Sequence, residues 1–175
     1  MREFADGITM PVLIDPDHVL TELYAISNVP TVIWIDEQGR IVRPNGVAFS
    51  ADTFKEFTGV EAGPHLEAVR NWVRTGVVPI TPDAAREAVG DLTDDEILAR
   101  LHFRVAAHAR RNGDDGTAQR HFTEAGRLAP NDFTIRRAAM PLTGGNPFGP
   151  EFMALYAEWQ EAGSPYHGLP GVTAS

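Results

Sequence analysis

The chain has 175 residues, 43% of them hydrophobic and 22% charged, which is a globular composition with material for one core or two small ones. Its formal net charge of −9, without a basic run that could neutralise several phosphates, argues against nucleic acid and against anionic membrane surfaces as partners. No apolar run of about 18 residues occurs and residues 1–7 lack the apolar segment of a secretory signal, so no membrane partner and a cytoplasmic location are expected.

Residues 2–7 read as the end of a helix closing on Gly7, and residues 11–15 as a strand. Asp15 then caps a helix with Pro16 in its first turn and Val19, Leu20, Leu23 and Ile26 at helical spacing. His18 shares no metal-ligand spacing with another His, Asp or Glu and reads as an exposed polar position, while Tyr24 reads as a packing residue. Val32, Ile33, Trp34 and Ile35 are apolar without a break, bounded by Pro30 and by residues 36–39, and predict a strand covered on both faces. Gly39 accommodates positive φ, so the chain turns back into a second antiparallel strand at Ile41 and Val42.

Tyr24, Val29, Pro30, Thr31, Ile35, Asp36 and the run Gly39, Arg40, Ile41, Val42 together resemble the second half of a thioredoxin-like fold of the TlpA/ResA and peroxiredoxin (redoxin) type. That resemblance implies a cis Val29–Pro30 bond beside a redox centre, and a groove at Asn28, Val29, Pro30 and Thr31 whose backbone pairs with an extended polypeptide. It also implies an upstream Cys-x-x-Cys or peroxidatic Cys at a helix N-terminus, where a thiolate is stabilised. The chain contains no cysteine, so it offers no catalytic nucleophile and cannot itself run thiol–disulfide exchange. In such a fold three strands and the redox helix come earlier, which would leave residues 32–35 with an open apolar edge, an aggregation hazard. Two readings stay open here. Either the catalytic half, with Cys or selenocysteine, lies upstream of Met1, or the chain is a degenerate redoxin that closes its sheet by pairing with another chain.

Arg43, Pro44, Asn45 and Gly46 carry a turn signal, and Ser50 caps a short helix with Phe54 and Phe57 on one side. A helix over 64–75 bears Leu66, Val69, Trp72 and Val73 and ends at Gly76, with His65 in an exposed first turn. Residues 77–82 hold two prolines without helical period and read as a linker, giving a partial thioredoxin-like domain over 1–76 and a helical region over 83–175. Thr81 and Pro82 start a helix that Gly90 stops, and Thr93 to Glu96 forms a capping box opening a helix with Ile97, Leu98, Leu101, Val105 and Ala109 on its apolar face. Asp91, Asp94 and Asp95 lack the glycine and terminal glutamate of an EF-hand loop and read as helix-terminus charge.

Residues 117–128 resemble the second helix of a tetratricopeptide repeat, with Ala118, Phe122, Ala125 and Pro130 at the required spacing. A single repeat cannot bury its own face, so further helices near Phe133 to Ala139 and over 150–159 are expected to cover it. Gly144, Gly145 and Asn146 lack the Lys-Ser/Thr of a phosphate loop and read as a connector. His102, His108 and His121 show no four-residue spacing, so no metal and no cofactor is expected. The fold expected is α/β followed by all-α. The function expected is a redox-silent, protein- or peptide-binding redoxin relative, self-association through the open sheet edge being the other partner. The alternative is the rear part of a thiol–disulfide oxidoreductase or peroxide-reducing protein.

Overall fold

The computed structural model describes residues 7–27, 29–48 and 51–169. The expected helix end over 2–6, Asn28, the Ser50 cap and the side chains of Phe54 and Phe57 lie outside it. A two-stranded antiparallel sheet, β1 (Thr31–Ile35) and β2 (Ile41–Val47), precedes a helical region, so the chain is mixed α/β and then helical. The turn of the hairpin is built by Asp36, whose carboxylate accepts from the backbone of Gln38 at 3.0 Å and Arg40 at 2.9 Å, and by Gly39 at φ 77°.

β2 runs further than its sequence suggests, because Arg43, Pro44, Asn45 and Gly46 are strand and not turn. Arg43 pairs with Trp34 and Gly46 with Val32, and the register shifts along the ladder, so Pro44, which has no N–H to donate, sits beside an irregularity of the kind that tolerates it. The expected strand over 11–15 is not formed. Those residues take no regular secondary structure and pair with neither β1 nor β2, and Val12, Leu13 and Ile14 are 52%, 83% and 60% exposed. β1 is likewise not covered on both faces, since Ile35 is 45% exposed. The Val29–Pro30 peptide is cis.

α1 (Val19–Leu23) starts later than Pro16, because His18 adopts the left-handed conformation at φ 55°. The N-cap position is therefore His18 and not Asp15, although the Asp15 carboxylate reaches the first turn and accepts from Val19 N at 3.0 Å and Thr21 N at 3.1 Å. A 3₁₀ turn at Asp52–Phe54 and α2 (Lys55–Thr58) lead to α3 (Ala62–Thr75), which ends at Gly76 with φ 73°. α4 (Pro82–Val89) is capped by Thr81, and α5 (Asp94–Arg111) opens with the complete Thr93/Glu96 capping box. α6 (Asp115–Leu128), α7 (Phe133–Leu142) and α8 (Pro150–Glu161) follow, with Asp114 and Asp132 capping α6 and α7.

The principal core lies between α5, α6 and α7. Ala99, Phe103, Ala106 and Ala109 of α5 meet Ala118, Phe122 and Ala125 of α6, with Ile135 and Ala138 of α7 closing one side. Alanines let the two helix backbones approach, and Phe103 and Phe122 fill the space between them edge to face at 5.9 Å. The expected apolar face of α5 is therefore wrong in all but Ala109. Ile97, Leu98, Leu101 and Val105 are 44–47% exposed, because the face that packs is the small-residue face, not the bulky one. Phe133 anchors α8 through Phe152, Tyr156 and Trp159, whose rings lie 5.0–6.0 Å from its own.

Candidate functional site

Val29 and Pro30 lead into β1, whose first residue is Thr31. Val29 is 73% exposed, Pro30 is exposed and Thr31 is half-buried. One side of this loop is fixed by α7: Arg137 donates through Nη1 to the Ser27 carbonyl at 3.0 Å and lies over the Phe152 ring at 4.9 Å. Burial pushes the Arg137 guanidinium below its ordinary value. Between loop and helix is a small, mostly apolar cleft of about 170 Å³, lined among others by Ile26, Val29, Thr134 and Ala138. Beyond the loop, β2 is the one strand paired with β1 among the described residues.

The hairpin face bearing Trp34 is closed by α3. Trp34 stacks on Trp72 at 4.9 Å, His65 approaches at 6.0 Å, and the Arg43 guanidinium lies 5.6 Å from the Trp34 ring. His65, expected to be exposed, is thus half-buried, and burial together with Arg43 lowers its pKa. Apolar residues left outside these contacts gather near the same end of the chain: Met10 and residues 12–14, Leu20, Leu23 and Val29 are all exposed.

Sequence spacing gives no hint of the ionic joint that holds α1 against the helical region. Glu22 is 1% exposed and accepts from Arg104 Nε at 2.5 Å and Nη2 at 3.1 Å. Arg100 donates through Nε to Asp132 at 2.9 Å, and its Nη1 lies 3.4 Å from the Glu22 carbonyl. The partners are 32 and 82 residues apart in sequence, so no local pattern could reveal them. His102 and His121 likewise come together, their Nδ1 atoms 2.8 Å apart across the α5–α6 contact. No group of three His, Cys, Asp or Glu that could hold a metal ion occurs among the described residues.

Ala118, Phe122 and Ala125 are gathered in one core, while Pro130 is exposed beyond the end of α6. Asn28 falls outside the described residues. No helix among those residues is long and apolar enough to cross a membrane. Comparison with known protein families, with curated proteins and with solved structures finds no match.

Proposed function

We propose that this chain is a redox-silent relative of the thioredoxin-like (redoxin) proteins that acts by binding polypeptide, adding a strand to the open side of β1. The observation that carries this reading is that, among the described residues, β1 is paired with no strand but β2, while Val12, Leu13 and Ile14 belong to no strand and are exposed. A strand edge without a neighbour is a template for a further strand: backbone hydrogen bonds supply attachment, and alternate side chains supply selectivity.

The sequence resemblance supports the same assignment, because a strand inserted between residues 11–15 and β1 is what a redoxin sheet has at that place. Such a strand would give 11–15 a ladder partner and bury Val12 and Ile14. No thiol is present to give the complex turnover of its own. A redox reaction would therefore depend on sulfur or selenium carried by the incoming polypeptide.

The test is to mix the chain with a recombinant strand–helix–strand front half of a TlpA-type protein and follow mass by light scattering. A one-to-one complex is expected. A stable homodimer that excludes the added polypeptide would instead assign the edge to self-association, and a monomer that ignores the front half at all concentrations would refute strand addition.

A further inference from the structure

A cleft of about 1150 Å³ opens on the other face of the hairpin, between β1, β2, α4 and the connection over 77–81. Ile33 lines it, whereas the next residue, Trp34, faces α3, as alternation along a strand requires. Its walls are mostly apolar, with Val42, Ile80 and Val89 prominent, so an occupant needs an apolar body.

The polar part of the wall is selective in charge. Arg40, Arg86 and Arg100 line the cleft against one carboxylate, Asp91, in a chain whose net charge is −9. Arg86 has no ion pair among the described residues, while Arg40 is held by Asp36. Arg100 is the decisive group. It is 6% exposed, its Nε is committed to Asp132, and its Nη2 is buried without any hydrogen-bond partner. A guanidinium does not lose its charge, and a buried donor left unpaired is costly, so an acceptor belongs there. Only one other buried side-chain atom among the described residues lacks a partner, Trp34 Nε1, and Trp34 does not line the cleft.

We infer that this cleft binds a carboxylate carried on an apolar body, of the fatty-acid class, the Arg100 side chain turning to bring its buried Nη2 to the carboxylate as donor and Arg86 at the rim adding positive charge. A singly charged head suits an apolar cleft in which Asp132 already neutralises part of Arg100, since a doubly charged head would carry a larger desolvation cost. The site is separate from strand addition at β1, because its donors stand on α4 and α5.

Titration calorimetry of the full chain with laurate, dodecanol, dodecyl phosphate and dodecyltrimethylammonium, each below its aggregation threshold, tests this. Laurate is expected to bind one-to-one, roughly tenfold or more tighter than dodecanol, the discrimination of a charge-assisted hydrogen bond. Arg100→Lys, which keeps a charge for Asp132 but has no fork, is expected to remove that preference while leaving dodecanol unchanged. Ile80→Asp, which touches none of the ion pairs, is expected to abolish laurate binding in a chain that still melts cooperatively. Equal binding of all four amphiphiles, laurate affinity unchanged in both variants, or no saturable binding would overturn the assignment. Dodecyl phosphate binding as tightly as laurate would overturn the carboxylate choice.

Discussion

Glu22 shows how a single buried charge is made tolerable. Its carboxylate lies in the interior only because the Arg104 fork meets both oxygens, and Arg104, 43% exposed in its side chain, keeps part of its guanidinium in water. Glu22→Ala leaves α1 without this tie and is expected to cost about 3 kcal/mol in urea unfolding, the low end for a buried pair because solvent screens the outer partner. Asp132→Ala removes both the α7 cap and the partner of buried Arg100, so a loss of about 3–5 kcal/mol is expected. At Glu96, burial raises the carboxyl pKa, but the Thr93 N–H and O–H and the contact with His167 outweigh it, and the group titrates below its usual 4.5. A lowered carboxylate pKa contributes stability that is complete above the unfolded value and is lost as pH falls through the folded one. Denaturation midpoints measured from pH 6 downward should thus fall less steeply in Glu96→Gln than in the parent, and parallel curves would contradict this role. Local caps of this kind were legible from spacing alone: Thr81, the Thr93/Glu96 pair and Gly76 stand where helical pattern and terminal chemistry put them. Glu22 with Arg104 was not legible, because its partners are brought together only by tertiary packing.

At the level of elements, α5 separates what periodicity can and cannot tell. Its boundaries follow from the capping box and from Asn112–Gly113, yet its buried face does not follow from its bulkiest residues. Ala99, Ala106 and Ala109 count weakly as apolar in sequence, but they permit the close approach on which the α5–α6 core depends. Phe103→Ala should then cost about 3–5 kcal/mol, whereas Leu101→Ala should change stability by only about 0.5 kcal/mol. Comparable losses at both positions would mean that the bulky face is buried after all. In β2 the misleading signal was local as well. Arg43 to Gly46 has turn composition, but Asn45 is placed by non-local hydrogen bonds at 2.9 Å to the Ala25 carbonyl, the Tyr166 hydroxyl and the His167 carbonyl. The segment over 11–15 has strand composition yet forms no strand, because composition does not supply the paired neighbour that a strand requires.

For the molecule as a whole, contacts cross the segment over 77–82 at several points. α1 packs on α5 and α7, and the C-terminal stretch threads back so that Gly168 N donates to the Ala88 carbonyl at 3.1 Å and Leu169 N to the Asn45 carbonyl at 2.8 Å. A Cβ at Gly168 would lie 2.4 Å from Asn45 Nδ2 and 2.8 Å from the Asn45 carbonyl oxygen, so Gly168→Ala must displace that stretch. A stability loss of about 1–3 kcal/mol is expected, with faster hydrogen exchange at Leu169, and an unchanged exchange rate there would show that the stretch is not docked. The order of sheet and helices was readable from the sequence, while the ties between them were not, because each joins residues with no shared periodicity.

Strand addition at β1 is tested most directly by hydrogen exchange over 11–15 and β1, in the chain alone and with the redoxin front half. Rapid exchange over 12–14 in the free chain, with protection appearing there and at β1 in the mixture, is the predicted result. Protection at both segments in the free monomer, or no change on mixing, would contradict it.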